Sequence, residues 1–74
     1  MGEAADAALD TIAALVRDDQ DPTVRRLALL SLSYWYRLRL YVHTDAVRAA
    51  TDDPDPSVRD TATRILQALP EDHR

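Results

Sequence analysis

The chain has 74 residues, a net charge of −4 at pH 7, nine arginines and neither lysine nor cysteine. This length encloses one small hydrophobic core, so we expect a single domain over residues 1–74. The lack of cysteine excludes a disulfide scaffold and cysteine chemistry, and the acidic balance does not favour tight binding to a nucleic-acid backbone.

The first residues show no targeting signal. Residues 1–6 carry no basic group ahead of an apolar run, and nowhere does an apolar stretch approach the ~20 residues that span a bilayer. We therefore expect a soluble, cytoplasmic protein without a membrane partner.

A first helix is predicted over about residues 4–17, because apolar residues recur at intervals of three and four. Acidic and basic side chains, such as Asp10 and Arg17, fall on the opposite side. The predicted apolar stripe consists of Ala5, Ala8, Leu9, Ile12, Ala13 and Val16.

The second predicted helix follows Pro22. Asp21 is suited to cap its N-terminus, and proline is favourable at the first helical position, whose N–H needs no partner. Its apolar residues surround almost the whole circumference, which predicts a helix at the centre of the fold. They are Val24, Leu27, Ala28, Leu29, Leu30 and Leu32.

The run from residue 23 to residue 53 contains neither glycine nor proline, yet one helix of that length is unusual in so small a domain. We predict a break near Tyr41 to Thr44. A short third helix then follows, with His43 or Thr44 as a poor N-cap, and ends near Thr51.

The last predicted helix has the clearest apolar stripe, and Asp60 and Arg64 are placed for an i,i+4 ion pair on its polar side. Residues 70–74 are predicted to form a loose tail. The stripe consists of Val58, Ala62, Ile65, Leu66 and Leu69.

An internal repeat is the most specific feature. Residues 18–28 recur 34 positions later as residues 52–62, with seven of eleven positions identical. A period of this length is typical of helical solenoids. We place repeat 1 at about 4–40 and repeat 2 at about 41–69.

The motif resembles the HEAT-repeat family, particularly the short form found in phycobilin lyase-like and related bacterial repeat proteins. The resemblance implies an all-α fold, a right-handed α-solenoid fragment of two helical hairpins with about four helices, and a role in protein–protein interaction. The matching residues are Asp19, Asp21, Pro22, Val24, Arg25 and Ala28, then Asp53, Asp55, Pro56, Val58, Arg59 and Ala62.

The resemblance also implies that Asp19, Arg25, Asp53 and Arg59 are structural, because the aspartate and arginine of this family commonly form a ladder of hydrogen bonds between successive repeats. A local alternative stays open. Asp21 and Arg25 are four residues apart, as are Asp55 and Arg59, and either pair could form within one helix.

All four aromatic residues lie in residues 33–41, where the family ordinarily has a helix end of small residues and a glycine-containing turn. Tyrosine and tryptophan offer large, rigid contact areas with a polar group, and a neighbouring arginine can stack on them. We expect Tyr34, Trp35 and Leu38 mainly to complete the core. The candidate binding residues are Trp35, Tyr36, Arg37, Arg39 and Tyr41.

No catalytic group, cofactor or metal site is predicted. The acidic loops lack the central glycine and distant glutamate of an EF-hand loop, and His43 and His73 have no partner at ligand spacing. We expect a non-catalytic protein-interaction module that can self-associate. A small-molecule pocket beside Trp35, or weak nucleic-acid binding through Arg25, Arg26, Arg37 and Arg39, remains an alternative.

Overall fold

The computed structural model describes the backbone of residues 3–70 and the side chains of residues 7–70. Over this range the chain forms four helices and no strand, which confirms the all-helical prediction. The predicted tail at 71–74 and the side chain of Ala5 lie outside the described part. The helices are α1 (Glu3–Asp18), α2 (Pro22–Arg37), α3 (Thr44–Ala50) and α4 (Pro56–Ala68).

The helices form two layers. In sequence order they make two hairpins, with α1 packed on α2 and α3 packed on α4. The hairpins also contact each other, because α1 lies beside α3 and α2 lies beside α4. The Cα atoms extend over 33 × 27 × 15 Å, and the short dimension fits two layers of helices.

One apolar cluster joins all four helices. Alanines contribute five of its buried residues, and a small side chain allows helices to approach closely. The stripe predicted for α1 is buried at Leu9, Ala13 and Val16, whereas Ala8 is exposed. The α4 stripe is confirmed. The cluster consists of Leu9, Ala13, Val16, Ala28, Leu29, Leu32, Tyr36, Ala46, Val47, Ala50, Val58, Ala62, Ile65 and Leu69.

The N-termini of α2 and α4 have the same arrangement. The Asp21 carboxylate accepts a hydrogen bond of 2.9 Å from the Thr23 N–H, and Asp55 accepts from the N–H groups of Ser57 and Val58. Pro22 and Pro56 each follow their cap as the first helical residue. The predicted cap at Asp21 is therefore confirmed, Asp55 is its equivalent, and the two set the starts of α2 and α4 34 residues apart.

The prediction that α2 lies at the centre of the fold was wrong. Leu27 is 52% exposed and Leu30 is 47% exposed. Since α2 packs against α1 and α4 only on adjacent sides, part of its circumference is left without a neighbouring helix.

The break after α2 comes earlier than predicted, since α2 ends at Arg37 and residues 38–43 connect it to α3. The Leu40 N–H donates to the Trp35 carbonyl at 3.1 Å, and the Arg39 N–H donates to the Tyr36 carbonyl at 2.9 Å. This pair of bonds is a Schellman motif, in which the residue after the C-cap is left-handed. Arg39 holds that position with φ 65°, where glycine is usual.

His43 is the N-cap of α3 and makes no capping bond with its side chain, as predicted for a poor cap. It also has a left-handed backbone, with φ 55°. Its Nε2 lies 2.8 Å from the Asp10 Oδ1, so the loop between the two hairpins is tied to α1.

Candidate interaction surface

Tyr36 and Trp35 are the inner members of the aromatic segment. Tyr36 is 6% exposed, and its hydroxyl donates to the Val42 carbonyl at 2.6 Å. Burial, with a smaller contribution from the Asp45 charge, raises the pKa of Tyr36 to about 12. The phenol therefore stays a neutral donor that ties the α2–α3 loop to the core. Trp35 is half-buried against the same core.

The expected division of this segment into core and accessible residues was wrong at three positions. Tyr36 is buried, whereas Tyr34 is 61% exposed and Leu38 is 58% exposed. The helical phase explains this, because Leu29, Leu32 and Tyr36 share one side of α2. Tyr34 and Leu38 are rotated away from that side.

The remaining predicted residues lie at the end of α2. Arg37 is exposed, and it lines a cleft of about 180 Å³ together with Tyr36 and Tyr41. Tyr41 packs its ring at a centroid distance of 6.1 Å from Tyr36. Arg39 is exposed in the turn. The structure thus brings Tyr36, Arg37 and Tyr41 together.

Three clefts among the described residues are lined by residues other than Trp35. The tryptophan packs edge-on against Tyr34, with ring centroids 5.8 Å apart. One of the clefts, of about 340 Å³, lies between α2 and α4. Its lining residues are Arg26, Leu30 and Ser33 from α2, and Thr61, Arg64, Ile65 and Ala68 from α4.

An exposed apolar row, which we call the α2 face, consists of Leu27, Tyr34 and Leu38. These residues are spaced by seven and four, so they lie on one side of the helix. Sequence reasoning missed this row because the apolar residues of α2 point in nearly every direction. The internal repeat does point to this row, because its period relates two of the residues to residues of α4.

The 34-residue period relates the α2 face to an interface that already exists inside the chain. Thr61 and Ala68 line the contact of α4 with α2, and their counterparts 34 positions earlier are Leu27 and Tyr34. Two residues of the α2 face are therefore the repeat counterparts of residues that line the cleft between α2 and α4. Leu27 and Tyr34 have larger side chains than Thr61 and Ala68.

The two hairpins are joined by a bidentate ion pair near the start of the long helices. The Arg25 Nε and Nη2 donate to the two Asp53 carboxylate oxygens at 2.8 and 2.9 Å. Both side chains are nearly buried, at 11% and 7% exposed. Arg25 and Asp53 therefore link the two hairpins, which is the contact that the resemblance implies for them. Asp21 and Asp55 serve as caps, so the local i,i+4 alternative was wrong.

The electrostatics of this pair follow from its contacts. Burial by itself raises the pKa of Asp53, but the hydrogen bonds from Arg25 and from the Asp55 N–H, together with the Arg25 charge, outweigh it and leave that pKa lowered. The same carboxylate raises the pKa of Arg25. The pair is therefore charged at neutral pH, and Arg25 is not available to a nucleic-acid phosphate.

Within the described residues, no group of three or more acidic or histidine side chains is arranged to hold a metal ion. No helix there is long and apolar enough to cross a membrane. No protein-family model, curated protein or solved structure matches this chain.

Proposed function

We propose that this chain is a non-catalytic protein-interaction module of HEAT-repeat type in the cytoplasm. In this proposal the two hairpins form a fragment of a right-handed α-solenoid, and the α2 face binds another protein chain. Support for the architecture comes from the two layers, the equivalent caps at Asp21 and Asp55, and the 34-residue period.

The exposed α2 face is the observation that carries the function. Leu27, Tyr34 and Leu38 are each more than half exposed, in a chain whose other large apolar residues mostly enter the core. Burial of apolar area stabilises association by about 25 cal/mol per Å² before the costs of ordering are subtracted. A helix packed here would also repeat the contact of α4 with α2.

The opposite end of the fold is different in character. On α4 the counterparts of Arg26, Leu30 and Ser33 are Asp60, Arg64 and Gln67, and all three are exposed and polar. The two ends of the module are therefore unequal, and the apolar end is the one that favours a partner.

Sedimentation equilibrium over a concentration series tests this proposal. We expect masses above the 8.3 kDa of one chain at high concentration. Leu27→Ser with Tyr34→Ser should return the mass to one chain. Leu15→Ser is the control, because Leu15 is also an exposed leucine but lies on α1 rather than on the α2 face. Equal effects of Leu27→Ser and Leu15→Ser would contradict a specific α2 face.

A further inference from the structure

The loop before each long helix is built in the same way. The Asp19 Oδ1 accepts from the Asp21 N–H at 2.9 Å, and the Asp53 Oδ1 accepts from the Asp55 N–H at the same distance. The Arg25 Nη1 donates to the Asp19 carbonyl at 2.8 Å, and the Arg59 Nη1 donates to the Asp53 carbonyl at 2.9 Å. Both arginines and both aspartates are thus positioned by equivalent contacts.

Among the described residues, only one of these two arginines pairs with the aspartate carboxylate of another repeat. The Nε and Nη2 of Arg25 reach the carboxylate of Asp53 in the following repeat. At one end, no arginine among the described residues pairs with the Asp19 carboxylate. At the other end, Arg59 uses its Nη1 for the carbonyls of Asp53 and Pro54, and its Nε and Nη2 contact no described carboxylate.

We propose that a second copy of this chain stacks head to tail on the first, with Arg59 of one molecule paired to Asp19 of the next. This inference rests on the proposed function and names the partner of the same α2 face. Within one chain, the packing of the second repeat beside the first places Asp53 beside Arg25. If the next molecule packs beside the second repeat in the same way, its Asp19 lies beside Arg59. The charges at the two ends are complementary, and their local contacts already hold them in the paired geometry.

The helix faces that meet in this stack are compatible. The α4 surface with Asp60, Arg64 and Gln67 would lie against Leu27 and Tyr34 of the next molecule. The methylene groups of Arg64 can cover Leu27, and its guanidinium can lie over the Tyr34 ring. Arg64 is 78% exposed beside Asp60, so this movement displaces no core contact.

Head-to-tail contact is heterologous and leaves a free site at each end, so the assembly grows by addition rather than closing as a dimer. A symmetric dimer of two α2 faces would also cover Leu27 and Tyr34. It would leave Asp19 and Arg59 unpaired with each other, and charge reversal therefore separates the two arrangements.

Charge reversal at both ends is the experiment, read by sedimentation equilibrium at low ionic strength to limit screening. Asp19→Arg and Arg59→Asp should each lower the association constant about tenfold or more, because each creates a like-charge contact. Their equimolar mixture and the double variant should recover association, because opposite charges meet again. Asp18→Arg is the control, since it makes the same charge change one residue away.

Each outcome decides between named alternatives. Recovery in the mixture supports the head-to-tail pair, and it also shows that both variants are folded. Association that is lost on Leu27→Ser with Tyr34→Ser but unchanged by charge reversal overturns the pair and favours a symmetric dimer. A wild-type chain that stays at 8.3 kDa overturns both the pair and self-association through the α2 face.

If Arg59→Asp does not fold, Asp19→Arg alone still tests the proposal, because among the described residues the Asp19 carboxylate accepts only from the Asp21 N–H. This variant keeps Arg59 but lacks the acceptor, so it should end a growing stack. Adding it to wild-type protein should lower the mean mass, and adding Asp18→Arg should not. A mean mass unaffected by Asp19→Arg would contradict the stack.

Discussion

Arg39 holds a backbone conformation that favours glycine. Its φ of 65° is left-handed, where the Cβ of an L-residue is crowded. We expect Arg39→Gly to raise the free energy of unfolding by about 0.5–1 kcal/mol. Urea denaturation measures this change.

Arg37→Gly is the control for that substitution, because Arg37 is the last residue of α2 and has helical geometry. Glycine there should lower stability by up to about 1 kcal/mol. A loss of stability on Arg39→Gly would show that the arginine side chain makes a contact worth more than the strain of its backbone.

Asp53 makes stability depend on acid. Its pKa is lowered in the folded chain, so the stability it contributes is complete above its unfolded pKa of about 3.9 and is lost as the pH falls through the folded value. Asp55 acts in the same direction, since its pKa is lowered by hydrogen bonds from the Ser57 hydroxyl and the Val58 N–H. We expect the urea midpoint to fall below about pH 4.

Asp53→Asn should lower stability at pH 7 and make the fall with acid shallower, because the amide has no proton to take up. Arg25→Gln should also make the fall shallower, because it removes the group that holds the Asp53 pKa down. Urea midpoints from pH 7 to pH 2 test both variants. Parallel curves for wild type and Asp53→Asn would show that other carboxylates dominate acid unfolding.

Most of α2 could be predicted from sequence, but the residue at which it ends and the side that it buries could not. Asp21 and Pro22 are strong local signals, and the structure confirms them. The helix ends in a Schellman motif in which Arg39 holds the position where glycine is usual. No glycine or proline therefore marks the end of α2 in the sequence. The buried side of α2 could not be predicted because apolar residues surround the helix. Packing against α1 and α4 determines that Tyr36 lies in the core.

The N-cap of α2 offers a test of the local signals. The Asp21 carboxylate accepts from the Thr23 N–H, so Asp21→Ala should lower the free energy of unfolding by about 1 kcal/mol. Asp21→Asn keeps an accepting oxygen and should retain most of the stability. Thermal unfolding followed by circular dichroism measures both. Equal losses in the two variants would mean that the charge, rather than the capping bond, matters.

The candidate site depends on how the helices pack against one another, which the sequence indicates only indirectly. Trp35, Tyr36, Arg37, Arg39 and Tyr41 were selected as a local cluster, yet the burial of Tyr36 and the exposure of Tyr34 arise from how helices pack. The repeat was more informative than composition, because its period relates Leu27 and Tyr34 to an interface between α2 and α4. Their binding roles stay predictions.

At the scale of the whole molecule, the open α2 face can be tested by supplying the missing neighbour in the same chain. A fused protein would carry a copy of residues 44–68, then residues 38–43 as the connection, then residues 3–70. Tethering gives the added hairpin an effective concentration of about millimolar or more. Its α4 copy should then pack on Leu27 and Tyr34, and its arginine equivalent to Arg59 should reach Asp19.

We expect the fused chain to unfold in one transition at a higher temperature than the original, because a third hairpin buries the open face and adds an interface. Reversing the charge of the added arginine equivalent to Arg59 should lower that temperature, because it places a like charge beside Asp19. Two separate transitions would show that the α2 face does not accept a repeat, and the partner would then have a different shape.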